Sequence, residues 1–246
     1  MEFPDSRLPY VMTYMGHCHG GDFDLIIRII SAAARVGVRA IVMDRFRAES
    51  LAKPGVDAEY PRYKRAELRP TQYRQIEDLC DELQLDLIDH ALDLPSLEQI
   101  GESPRGVWVD LESPIFEQVT ELAVQSASPL YVQSCCKSIP QAMNLPPEAH
   151  AYVQQKKLGS EFQVVAQLSQ GFPRHSERQS VWGMINQTSC PKSSAGTLHA
   201  GAGLVCHSLT HLEWTDQSRV SSLALTQQWA VGIHSFYEQM EFTRAA

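Results

Sequence analysis

Residues 16–51, GHCHGGDFDLIIRIISAAARVGVRAIVMDRFRAESL, decide the fold. Within them Leu25, Ile26, Ile29, Ile30 and Ala33 recur at helical spacing, so one face of a helix is apolar. Asp22 stands where an N-cap is needed and Gly37 where a left-handed C′ residue ends a helix. The run Arg39 to Met43 that follows is almost wholly apolar, as in a parallel strand covered on both faces, and charge begins abruptly at Asp44. With the apolar run Tyr10 to Met15 in front of it, the stretch reads as strand, helix, strand.

The same unit repeats outward. Pro70 and Thr71 open a helix with Tyr73, Ile76, Leu79, Cys80 and Leu83 on one face, and Leu85 to Ile88 is a strand ending in the polar pair Asp89-His90. Further strands are expected at Val107 to Val109, Leu130 to Gln133, Gln163 to Ala166, Val181 to Ile185 and Leu209 to Trp214. Ser113-Pro114 is read as the cap and first residue of a helix, and a last helix is expected near Leu223 to Met240. Eight alternations in 246 residues predict an α/β protein, a single-domain (β/α)8 TIM barrel over residues 1–246. Trp108, Trp182 and Trp214 fall in strands and are read as core. No GxGxxG turn follows the first strand, since GHCHGG holds two histidines where a dinucleotide needs bare backbone.

A net charge of -8 argues against nucleic acid as a partner, because phosphate binding needs a concentrated basic patch. The nearest basic run, Arg62 to Arg65, is expected in a solvated loop within the long connection from Glu49 to Arg69. No apolar run approaches the ~20 residues that span a bilayer, and MEFPDSRLPY has no signal-peptide core, so a cytoplasmic protein without membrane contact is expected. The six cysteines include no CxxC pair, and Cys80 on a helix's apolar face reads as a small buried hydrophobe.

These residues carry a resemblance to the sialic acid synthase family. The opening stretch is similar to the family's E-I-G-x-N-H-N-G-D, helix, and A-V-K-F-Q-x-F-K-A-E-x-L, with helix, turn and strand corresponding without a gap. Glu67 to Ile100 resembles the next unit, which ends in F-L-S-T-P-F-D, and Ser128 to Ser134 resembles K-P-V-I-L-S-T. THLEWTDQSRVSSLALTQQW is similar to the family's closing segment. The resemblance implies a (β/α)8 barrel that condenses phosphoenolpyruvate with a sugar, uses a divalent cation such as manganese or magnesium, and serves carbohydrate biosynthesis. The family's C-terminal antifreeze-like domain has no counterpart in the sequence, so a lid is expected from the barrel itself or from a different protein.

Residue by residue, the resemblance implies a changed site. The family's first-strand glutamate falls on Tyr14, and its phosphoenolpyruvate-binding lysines fall on Val42 and Trp108. Removing a charge-assisted hydrogen bond costs about 1.5 to 3 kcal/mol, so the parental condensation is not expected. The metal-binding histidines fall on Gln187 and Glu213, an amide and a carboxylate that still suit a hard divalent ion. Ser134, Asp93 and Phe172 match substrate-site positions of the family.

New polar residues stand at predicted C-terminal strand ends, the face where barrel enzymes keep their chemistry: His17, Asp44, Arg45, Asp89, His90, Asp110 and Glu112. Adjacent strand residues face opposite ways, and the family register turns His90 rather than Asp89 into the barrel. His90 and Asp44 are the candidate catalytic residues, with Tyr14, His17, Arg45, Asp93, Ser134 and Phe172 as candidate substrate contacts and Gln187 and Glu213 as candidate metal ligands. Bland alternatives stand beside these: a rim ion pair for Asp44-Arg45, a loop role for His17 and His19, and structural hydrogen bonding for His90. The function expected is that of a divergent synthase-like enzyme taking a small polar, carbohydrate-like substrate. The alternatives are a catalytically silent barrel that binds a partner, and a metal-dependent hydrolase or lyase built on His17, His19 and Glu213.

Overall fold

The computed structural model describes residues 10–101, 104–134, 149–155, 181–186 and 204–208. Its strands are β1 (Tyr10–Tyr14), β2 (Ala40–Arg45), β3 (Asp86–Ala91), β4 (Val107–Asp110), β5 (Leu130–Ser134), β6 (Ala149–Gln155), β7 (Val181–Asn186) and β8 (Leu204–Ser208). Each pairs in parallel with the next, and β8 pairs with β1, so eight strands close into a barrel. The described helices are α1 (Phe23–Arg35), α2 (Ala48–Leu51), α3 (Tyr60–Ala66), α4 (Pro70–Glu82), α5 (Leu94–Leu97) and α6 (Phe116–Ser126). Among the described residues no helix is long and apolar enough to cross a membrane.

Two expected strands need correction. The sixth strand of the barrel is Ala149–Gln155, paired with β5 through a register shift at Leu130/Tyr131, whereas the expected strand at 163–166 lies outside the described residues. The closing strand is Leu204–Ser208, and the expected strand at 209–214 lies outside the described residues with the expected helix at 223–240. LVCHS and AHAYVQQ are part polar, and their pairing with neighbours rather than their composition makes them strands. The basic run Arg62 to Arg65 is helical, on α3, where Lys64 reaches Glu67 at 2.8 Å and Glu49 at 3.1 Å. Helix α6 starts at Phe116 rather than at Ser113-Pro114.

The period-2 alternation of the strands sorts side chains into two cores. Val11, Ile41, Met43 and Leu87 point outward and pack with Leu25, Ile26, Ile29 and Ile30 of α1 and with Tyr73, Ile76 and Cys80 of α4. Tyr10, Met12, Tyr14, Val42, Ile88, Trp108, Tyr131 and Cys206 fill the interior. Asp22 caps α1 by accepting from the Leu25 N–H at 3.0 Å, and Gly37 takes φ +80° beyond its end. The interior is a packed plug, with Trp108 stacked on Tyr14 and Tyr131 at centroid distances of 6.0 and 5.9 Å. A ligand inside the barrel is therefore excluded at this aromatic layer, and the C-terminal strand ends above it are the face to inspect for a site.

Candidate functional site

Strand register carries three inward-facing polar groups to one point above Trp108. Asp44 lies opposite His90 across β2 and β3, and His90 lies opposite Trp108 across β3 and β4. Asp44 Oδ1 accepts from the Tyr14 hydroxyl at 2.8 Å and lies 2.9 Å from His90 Nδ1, while the Tyr14 hydroxyl is 3.0 Å from the same nitrogen. His17, on the loop after β1, places Nε2 3.2 Å from Asp44 Oδ2. Its ring packs edge-on against Phe46 and Tyr63, so α3 roofs this corner. Asp110, at the end of β4, brings Oδ2 to 3.7 Å from His90 Nε2.

The charges follow from this packing. Burial works against the ionised Asp44 carboxyl, but the His90 hydrogen bond, both imidazoles and the Tyr14 hydroxyl outweigh it and hold the carboxyl below its ordinary range. Burial likewise disfavours a charged His90, and the hydrogen bond and charge of Asp44, with Asp110 behind them, overcome it and hold the imidazole above its ordinary value. Both shifts favour an ion pair, in which His90 Nδ1–H donates to Asp44 and Nε2–H is turned toward Asp110. Burial and the Asp44 charge push the Tyr14 phenol well above its usual range, so it stays a neutral donor. Burial lowers His17, only partly offset by Asp44, and raises the Asp110 carboxyl against the pull of His90.

The remaining candidate residues are placed apart from this cluster. Arg45 faces outward: Nε donates to Asp89 Oδ1 at 2.5 Å, Nη2 to Glu77 Oε1 at 2.6 Å, and the guanidinium lies 4.3 Å from the Tyr73 ring centroid. Asp44 and Arg45 therefore do not pair with each other. Asp93 spends both oxygens on backbone, accepting from Ser96 N and Arg47 N at 2.7 Å each. His19 is buried in its loop and accepts from the Gly21 N–H at 3.1 Å, so the two histidines of the HxH diverge. Ser134 ends β5 at the rim and donates to Glu112 Oε1 at 3.2 Å. Phe172, Gln187 and Glu213 lie outside the described residues.

The resemblance implies a divalent cation. Among the described residues no group of three or more His, Cys, Asp or Glu side chains is arranged to hold a metal ion, and the two ligand positions that the resemblance assigns, Gln187 and Glu213, fall outside them. A pinned Asp–His couple whose second ring nitrogen lies beside the part-exposed Asp110 is suited to general acid or base work. The sequence places Asp110 at a strand end and gives it no role; its approach to His90 depends on the β3–β4 register, which local pattern does not encode. A separate cavity of about 400 Å³ opens beside the mouth between Phe46, Arg47, Lys64, Glu67, Arg69 and Ser96.

No known family model matches the chain, and no curated protein matches it. Solved structures do match. An N-acetylneuraminic acid synthetase from Leptospira borgpetersenii, solved with citrate, aligns at TM-score 0.75 and 12% identity over 96% of this chain and 86% of that one. A spore coat polysaccharide biosynthesis protein from Bacillus subtilis aligns at 0.73 and 16% over 96% and 70%. A tryptophan synthase structure from M. tuberculosis aligns at 0.67 and 13% over 93% and 94%. At such identities the likeness is one of fold, an α/β barrel of the kind found in the sialic acid synthetase.

Proposed function

We propose that the chain is a divergent (β/α)8 enzyme of sialic acid synthase type that acts on a sugar or sugar-acid in carbohydrate biosynthesis, by proton transfer through His90. The observation that carries this reading is the buried Asp44–His90 pair, with Nδ1 held at 2.9 Å and Nε2 left toward the mouth. Asp44 fixes the ring orientation and keeps the imidazole charged, His90 Nε2–H gives a proton to a substrate oxygen, and the Tyr14 hydroxyl completes the Asp44 shell. The low sequence identity to the sialic acid synthetase leaves the substrate to be argued from this site. Its polar character supports a hydroxyl-rich ligand, because groups of this kind left unsatisfied cost about 1 to 3 kcal/mol each.

The parental condensation is a poor fit. Val42 and Trp108, where the family resemblance would put lysines, are fully buried in the interior with their neighbours packed around them. Purified protein given phosphoenolpyruvate and N-acetylmannosamine should release no phosphate above background, and Val42→Lys should unfold more readily without gaining that activity. The direct test is calorimetric titration of wild-type and His90→Asn protein with sugars, sugar phosphates and keto acids, repeated with manganese, magnesium or zinc added to metal-stripped protein. Binding that His90→Asn abolishes supports the proposal. No response in the wild type, or equal responses in both proteins, would make the barrel a non-catalytic binding partner.

A further inference from the structure

Asp110 stands beside the Asp44–His90 couple, and the couple's own hydrogen bond does not use it. Its side chain is 35% exposed, yet Oδ1 is covered and, among the described residues, has no hydrogen-bond partner. Oδ2 is 3.7 Å from His90 Nε2, beyond direct hydrogen-bond reach, while His90 Nδ1 is already committed to Asp44. A strong acceptor and a strong donor thus stand side by side without meeting each other. The 3.7 Å gap between Oδ2 and Nε2 leaves both able to bond to one oxygen placed beside them, so the pair marks a place where another molecule can meet both groups.

The group that fits is one that accepts and donates at once. A hydroxyl does so, taking the His90 Nε2 proton on a lone pair and giving its own proton to Asp110. Phosphate and carboxylate offer only acceptors at neutral pH and would face Asp110 across a gap of like charge. Glu112, close enough to Asp110 to disfavour its ionisation, adds to that field, and its Oε1 is engaged by Ser134. Among the described residues two carboxyls, those of Asp44 and Asp110, flank the His90 imidazole, and Glu112 lies next to Asp110.

We propose that His90 Nε2 and the Asp110 carboxylate form a two-point clamp for a hydroxyl of an uncharged polyhydroxy substrate, with Asp110 as the specificity residue that turns away phosphorylated and carboxylated sugars. The clamp rests on the proton-transfer reading of the mouth and narrows its substrate to neutral sugars. Asp110 holds and orients; the proton moves through His90.

The experiment is isothermal titration of wild type, Asp110→Asn, Asp110→Ala and His90→Asn with mannitol, N-acetylmannosamine, mannose 6-phosphate and phosphoenolpyruvate, alongside 15N NMR of the His90 ring. The wild type should bind the neutral probes more tightly than the charged ones, with a ligand-induced shift at Nε2. Both Asp110 variants should lose about tenfold or more of the neutral-probe affinity and much of the discrimination, while unfolding in urea no earlier than wild type, since an unpartnered carboxylate oxygen is being removed. Neutral-probe affinities within about twofold of wild type in both Asp110 variants, with binding still lost in His90→Asn, would overturn the clamp and leave the proton-transfer reading standing. A wild type that prefers the charged probes overturns the clamp as well, and one that binds no probe overturns both.

Discussion

Replacing Asp44 by asparagine keeps the shape of the buried cluster and removes its charge. In the wild type both Asp44 and His90 are almost fully buried, at 4% and 3% exposure. While the imidazole stays charged, loss of its partner leaves an uncompensated buried cation, at a cost of about 3 to 5 kcal/mol. The imidazole can escape by releasing its proton, after which only the weakening of two charge-assisted hydrogen bonds remains, about 1 to 2 kcal/mol. The loss therefore depends on pH, and its sign is fixed by linkage. His90 is held above its ordinary 6.5, so its contribution is complete below that value and fades as pH rises through the folded-state value. Asp44 is held below its ordinary 3.8, so its contribution is present above that value and is lost as pH falls through the depressed one. The pair therefore contributes most at about pH 5, between those two values. Urea unfolding followed by tryptophan fluorescence should show Asp44→Asn destabilised by about 3 to 5 kcal/mol at about pH 5 and by less at a pH above the wild-type His90 midpoint, located by NMR titration; the melting temperature at the lower pH should fall by about 10 °C. NMR titration should find His90 in the variant below its ordinary value, because burial is then opposed by Asp110 alone. An equal loss at both pH values, or a His90 midpoint that does not move, would refute the reasoning.

Three further outcomes are expected. Arg45→Met should cost about 3 to 5 kcal/mol by stranding the buried Asp89 carboxylate, adding Asp89→Asn should restore more than half of that in urea unfolding, and ligand binding at the mouth should be unchanged, because Arg45 lies outside the barrel wall. Burial, with the nearby His17, lowers the His19 imidazole to about 4, so wild-type stability should fall by about 3 kcal/mol as pH drops from its ordinary 6.5 through that value; His19→Asn should flatten this acid limb in pH-resolved urea midpoints. Gly21→Ala should lose about 3 kcal/mol in the same assay, since φ is +84° and an added Cβ would lie 2.0 Å from the Arg65 carbonyl oxygen.

What the sequence determined by itself is local. The Asp22 cap, the Gly37 stop, the apolar stripe of α1 and the charge that begins at Asp44 fix one strand–helix–strand unit, because capping and periodicity act over a few residues. The alternation of strand faces said that only one of Asp89 and His90 enters the barrel, since a strand has a period of 2, and the register of the family resemblance chose His90, while Asp89 lies outside with Arg45. Partnership was decided only by the tertiary structure. Asp44 and His90 are 46 residues apart, and their 2.9 Å contact exists because β2 and β3 pair in one particular register. Arg45 faces α4 on the outside of the barrel, so its partners Asp89 and Glu77 could not be read from the rim ion pair that the sequence suggests. Asp93, a candidate substrate contact because the resemblance matches it to a family aspartate, is consumed by the N–H groups of Ser96 and Arg47 once the two loops meet. β6 and β8 likewise have little apolar signature of their own, and pairing with strands already in place makes them part of the sheet. Local pattern records which conformations a segment favours; closure of a barrel selects among them by long-range contacts, and the same closure sets the distances on which proton transfer depends.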